Sequence, residues 1–208
     1  MKNIKEETIQ KAIISDALKN SYNYGDYSSL VHNLATQGKT TGPEQKPSLV
    51  EYTRLNSRRM KRWDKTFKTP VDADKALFNA EHSVLFLVIT ESWCGDAAPS
   101  LPIMNKLAEN NDNISLKIVL RDENERLMKY FHTDGAHSIP KLIMLNPSNM
   151  DVLGTWGPRP SKATEMARTF KLSNGSLTAE FKEELQLWYN KDKGQNIWCD
   201  LENLLSLK

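Results

Sequence analysis

The segment Trp93-Cys94-Gly95-Asp96-Ala97 sets a thiol between two patterns: the apolar run Val84–Ile89 before it and a helix-forming stretch, Pro99–Asn110, after it. A cysteine where a buried strand ends and a helix begins has chemistry available to it. Unpaired helix N–H groups and the positive dipole end stabilise a thiolate, lowering the thiol pKa from its free value of ~8.5. Gly95 permits close backbone approach, and Trp93 can shield one side of the sulfur. Asp96 cuts both ways: a carboxylate at a helix start favours the helix, yet its charge beside Cys94 opposes the thiolate. A structural cysteine buried in the core is the plain alternative, and the strand-to-helix context tilts the reading toward function.

The elements that must position this thiol follow from periodicity. Residues 1–69 read as helical, with Ile9, Ile13 (or Ala12) and Ala17 at helical spacing and breaks at Gly25, Gly38 and Gly42-Pro43. A second helix is expected over Ser48–Phe67. Thr69-Pro70-Val71-Asp72 predicts a further helix start, with Thr69 as cap, Pro70 in the first turn and Asp72 complementing the dipole. Ser83–Thr90 reads as a strand buried on both faces, and Ile114–Leu120 as a second buried strand. Helices are expected over Pro99–Asn110 and Asp122–Phe131. Lys141–Leu145 and Val152–Trp156 form a predicted strand pair around the turn Asn146-Pro147-Ser148-Asn149. Helices from Ser161, over Leu177–Asn190 and over Ile197–Leu205 complete the chain. This order requires a parallel βαβ start and an antiparallel finish.

Composition narrows the function classes. At 208 residues, the chain can bury a core without disulfide staples. Its 39% hydrophobic and 26% charged content argues against disordered or fibrous classes. The longest strongly apolar run falls far below the ~18 residues of a membrane span. The charged amino terminus lacks an apolar signal core. Two cysteines, Cys94 and Cys199, make no disulfide framework, so a reducing cytoplasm is the expected setting.

The site resembles that of thioredoxin-fold proteins. Glu91-Ser92-Trp93-Cys94-Gly95-Asp96-Ala97 is similar to the Trp-Cys-Gly-Pro-Cys turn of that family. Pro102, eight residues after Cys94, corresponds to the proline that kinks the active-site helix. Ser138-Ile139-Pro140 resembles the segment whose cis proline faces the sulfur and presents a substrate strand. The resemblance covers about residues 70–175 and implies an α/β fold, a central mixed sheet flanked by helices. Residues 1–69 are then a helical N-terminal extension, and residues 70–208 a thioredoxin-like domain with C-terminal helices. The stretch Trp93–Pro102 and the Gly-Lys-Thr-Thr-Gly-Pro segment look like a subgroup of bacterial thioredoxin-family proteins of poorly defined activity.

The match breaks at the second thiol. Ala97 stands where the resolving cysteine belongs, so displacement of a mixed disulfide within the turn is not available. The family's buried aspartate, six residues before the first cysteine, is Val88. One-cysteine chemistry remains: a mixed disulfide with glutathione, another small thiol or a protein, or a sulfenic acid rescued by an external thiol. Cys199 as a distant resolving thiol ranks below a place in a packed terminal helix. The resemblance thus implies Cys94 as nucleophile, Trp93, Gly95, Asp96 and Ala97 as the active-site turn, and Ile139 and Pro140 as the substrate-binding segment. A non-catalytic module binding a peptide or protein at the same groove is the rival.

Other motifs carry less. Lys141 is a candidate cation near the site, with a solvated strand residue as the simpler reading. His132 and His137 pair with neither cysteine at metal-ligand spacing, so no metal is expected, and no cofactor beyond a low-molecular-weight thiol. Gly38-Lys39-Thr40 lacks the remaining glycine and the strand of a phosphate loop. Arg54, Arg58, Arg59, Lys61, Arg62, Lys65 and Lys68 face only Asp64 within their stretch. That basic helix reads as a solvated face; nucleic acid is set aside as partner, and a cation supplied to an anionic substrate over Cys94 is the third option. The expected partners are a protein or a small thiol or disulfide, with no membrane.

Overall fold

Strand β1 (Val84–Thr90) is buried at every residue and forms the middle of the sheet. β2 (Ile114–Leu120) lies parallel to it on one side; β3 (Lys141–Leu145) lies antiparallel on the other, followed outward by β4 (Val152–Trp156), giving the order β2-β1-β3-β4. Apolar residues without alternation suit a strand covered on both faces. The computed structural model describes residues 4–70 and 83–206. The helix expected to begin near Thr69 falls on residues 71–82 and lies outside the described residues.

The N-terminal helices are α1 (Ile4–Lys19), α2 (Tyr24–Gln37) and α3 (Pro47–Thr66). Asn23 caps α2 by accepting from the Asp26 N–H at 2.8 Å, and Gly38 ends it at φ +66°. Gly25 therefore sits in the first turn of α2, and the break falls at residues 20–23. In α1 the buried face is Gln10, Ile14 and Ala17, while Ile9 is 41% exposed. Ala17 of the predicted stripe is buried and Ile13 packs partly against the core, while Gln10 and Ile14 replace Ile9 and Ile13 at its centre, where α1 docks against β2 and the short helix after it. Backbone bonds between Tyr22 and Ile118 (2.8 and 2.9 Å) carry the extension onto the outer edge of β2.

Helix α4 (Ala97–Glu109) leaves β1 through the Trp93–Asp96 turn, with Pro99 in its first turn and Pro102 inside it. It packs on β2 and against α2, α3 and α8. The helix expected over Asp122–Phe131 is a single turn, α5 (Glu125–Met128). The Asp122 N–H donates to Glu91 Oε1 and Asn124 Nδ2 to the Leu120 carbonyl, so side-chain bonds hold the preceding residues out of the helix. The C-terminal helices are α6 (Ser161–Asn174), α7 (Ala179–Asp192) and α8 (Gln195–Leu205). One contiguous core joins residues from α1 to α8. This is the thioredoxin-like α/β architecture, with N-terminal helices added to it.

Candidate functional site

β1 delivers Cys94 to the mouth of α4, and Ile139-Pro140 approaches it from the segment before β3. The Cys94 thiol donates to the Ile139 carbonyl at 3.2 Å, and the Ile139–Pro140 peptide is cis. Cys94 is 6% exposed, and Ala97 and Pro140 are buried beside it. Trp93 and Gly95 are half-buried, and the Arg121 guanidinium lies 4.8 Å from the Trp93 ring centroid. Cys199 is exposed on α8, and both cysteines are free thiols.

The thiolate expected from the helix start does not prevail. Burial, then the charge of Asp96, push the Cys94 thiol up to about 12; the N–H groups of Ala97 and Asp96 and the Arg159 cation act in the opposite direction and are outweighed. Asp96 is itself buried and makes no side-chain cap of α4. Its Oδ1 accepts from the Tyr189 hydroxyl at 3.1 Å. Its Oδ2 lies 2.9 Å from Arg159 Nε, at ion-pair distance but without hydrogen-bond alignment. Burial raises the Asp96 carboxyl despite these partners.

Two helices outside the turn close over it. From α7, Tyr189 reaches Asp96, and Gln186 Nε2 donates to the Gly95 carbonyl at 3.4 Å. From α3, Asn56 Nδ2 donates to the Ser92 carbonyl at 2.9 Å while Asn56 Oδ1 accepts from Arg59 Nη1 at 3.2 Å. Arg62 of α3 also donates to Asn190 of α7. The basic helix therefore touches the site through one of its cations, Arg59.

Below the turn, Ser92 Oγ is ringed by Thr53 Oγ1 at 2.8 Å, the Thr41 N–H at 3.0 Å, and Thr40 Oγ1 and Thr41 Oγ1 at 3.1 Å each. The Ser92 N–H donates back to Thr41 Oγ1 at 2.9 Å. The Gly-Lys-Thr-Thr segment is thus a hydroxyl clamp on the end of β1. Glu91 is fully buried; the Asp122 N–H binds its Oε1, while Oε2 has no aligned partner, the nearby Thr41 hydroxyl donating to Ser92 Oγ. Desolvation raises the Glu91 carboxyl.

Lys141 is not a solvated strand residue: it is 7% exposed, donates to Thr133 Oγ1 at 3.2 Å, and burial lowers its ammonium pKa. His132 and His137 are exposed and stack with ring centroids 4.6 Å apart. Asn56, Arg159, Gln186 and Tyr189 were not legible as site residues; Arg59 was legible only as one of seven cations in the basic stretch 54–68. Thr53 and Asn56 gave one usable signal, polar side chains on the buried face of α3 shared with Met60 and Trp63. Arg159, Gln186 and Tyr189 reach the turn only through tertiary packing.

No curated protein matches this sequence. Among solved structures, an HIV epitope scaffold is similar over 92% of this chain and 96% of its own, at 16% identity and a TM-score of 0.62. A protein of unknown function from Pseudomonas aeruginosa is similar over the same shares, at 14% identity and a TM-score of 0.62. At these identities the likeness concerns the fold alone. The family model described as thioredoxin matches residues 42–171, a span that takes in α3, the Cys94 turn, the Ile139-Pro140 segment and most of α6. With that match spanning more than half of the sequence, the chain belongs to the thioredoxin family.

Proposed function

We propose that this chain is a thiol-disulfide redox protein working through one cysteine. The observation that carries the reading is the Cys94 sulfur 3.2 Å from the Ile139 carbonyl, beside Pro140, with Ala97 where a second thiol would stand. The chemistry is exchange. Cys94 loses its proton to solvent, its sulfur bonds to one sulfur of a substrate disulfide, the S–S bond breaks, and the departing thiolate takes up a proton. An external thiol then displaces the substrate half from Cys94. A cytoplasmic setting, where both free thiols stay reduced, and a bacterial origin within the subgroup named above belong to the same proposal.

A second reading, a non-catalytic module binding a peptide or protein at the Pro140 groove, is favoured by one specific observation. The thiol is buried, and Asp96 opposes its ionisation. Alkylation of Cys94 against pH, in a Cys199→Ser background, separates the two. For the redox reading, native Cys94 reacts at pH 8, its rate climbs toward a midpoint well above ~8.5, and Cys94→Ser abolishes mixed-disulfide formation. Asp96→Asn removes the opposing charge and releases Arg159, so the rate at pH 8 should rise. A thiol that reacts only after unfolding, in both proteins, would hand the lead to the binding module.

A further inference from the structure

Arg59 is the one cation of α3 that borders the Cys94 turn, and its surroundings are unusual for a guanidinium. It is half-buried, yet among the described residues no carboxylate lies within ion-pair distance of it. Its neighbours on the helix are served differently: Arg54 and Arg58 pair with Glu51, and Arg62 binds Asn190. The nearest carboxylate of the turn, Asp96, is engaged by Arg159. A partly desolvated cation without a counter-ion is unfavourable, and an incoming anion relieves that. Burial, with the nearby Arg62, pushes the Arg59 pKa down, and the charge of Asp96, beyond ion-pair distance, offsets this only in part.

The guanidinium is also positioned. Asn56 holds Nη1 by its Oδ1 while its Nδ2 is anchored on the Ser92 carbonyl, so Arg59 is tied to the backbone that carries Cys94. A Cβ placed on Gly95 would lie 3.8 Å from Arg59 Nη1 and 3.8 Å from Gln186 Nε2. Two donors from different helices therefore flank the residue next to the thiol, one of them with an N–H already on the Gly95 carbonyl, and glycine puts no side chain between them. Planar guanidinium donors suit a carboxylate.

We infer that Arg59, held by Asn56 and joined by Gln186, is an anion-recognition subsite for substrates of Cys94, fitting low-molecular-weight disulfides that carry a carboxylate close to their sulfur. The chemistry of the bound disulfide rests on the one-cysteine reading above; the anion site itself does not. The exchange balances as written there, with one carboxylate-bearing half bonded to Cys94 and the other released as a thiol.

The test compares dithiodiglycolate, an anionic disulfide, with hydroxyethyl disulfide, a neutral one of similar size. Both are applied to the full chain carrying Cys199→Ser. Two quantities are read: the rate of mixed-disulfide formation at Cys94, and the rise in thermal unfolding midpoint of a Cys94→Ser, Cys199→Ser protein with each compound. Relative to the ratio for the unfolded chain, the anionic-to-neutral rate ratio should be higher in the native protein. Arg59→Gln should lower that ratio by about fivefold, the upper end for a solvent-accessible ion pair, and Arg59→Lys should restore part of it. The midpoint should rise only with the anion, and not in Arg59→Gln. If Cys94 reacts with neither compound but the anion-specific rise is present and lost in Arg59→Gln, the subsite stands and the redox reading falls. A rate ratio unaffected by Arg59→Gln, or no anion-specific rise when Cys94 is inert, overturns the subsite.

Discussion

Glu91 concentrates the tension of this site in a single side chain. Its carboxyl is fully buried, one oxygen serves the Asp122 N–H, and the other has no aligned donor. Desolvation keeps the folded carboxyl protonated to higher pH than the unfolded one. As pH rises past the ordinary Glu value of ~4.3, the unfolded chain releases its proton first, so stability falls from there until the folded group also ionises. Glu91→Gln keeps an acceptor for Asp122 and removes the ionisation. Its unfolding midpoint relative to wild type should therefore improve from pH 4 to pH 7, at roughly 2–4 °C for each kcal/mol in a chain of this length. Calorimetry at the two pH values reads this directly; a difference independent of pH would show that Glu91 ionises as freely in the folded chain. Asp96 has the same sign of shift, but its Arg159 and Tyr189 partners make it part of a network rather than an isolated strain.

At the scale of elements, the end of β1 is clamped by the segment between α2 and α3. Ser92→Ala strips a shared partner from Thr40, Thr41 and Thr53, all buried, and should destabilise the fold by about 1–3 kcal/mol. Denaturant unfolding measures the loss, and faster hydrogen exchange at the Thr41 amide locates it. This clamp was not legible in the sequence, where Gly-Lys-Thr-Thr suggested a failed phosphate loop and a family resemblance but no contact with Ser92. The strands were legible: β1 is a continuous apolar run, β2 alternates Ile114, Leu116 and Ile118 with Ser115 and Lys117 before a wholly apolar end, and β3 runs apolar after Lys141. Helix bounds held to within about two residues where a proline, a cap or a glycine marked them, as at Pro47, Thr178 and Gly38. They failed after β2, where side-chain bonds of Asp122 and Asn124 replaced helical ones. The Cys94 turn was readable as a motif. The opposing charge of Asp96 was readable too; the depth of burial was not, because α7 closes over the turn only in the folded chain.

For the whole molecule, the question is whether the N-terminal helices are an appendage or part of one cooperative unit. Ile14, Tyr27 and Val31 are buried in the same core as β1 and α4. Ile14→Ala should then lower the stability of the entire chain by about 2–5 kcal/mol, with tryptophan fluorescence and circular dichroism still reporting one coincident transition. An early transition confined to helical signal, with the rest unchanged, would mean the helices unfold on their own. The bond pair between Tyr22 and Ile118 has a consequence in time as well as in space. Residue 22 leaves the ribosome about a hundred residues ahead of its partner, which at about 5–20 residues per second is a wait of roughly 5–20 s. During synthesis α1 has no β2 edge to dock on, so the nascent chain carries Ile14 uncovered until the second strand is made, whereas α2 meets its main partner, α3, much sooner.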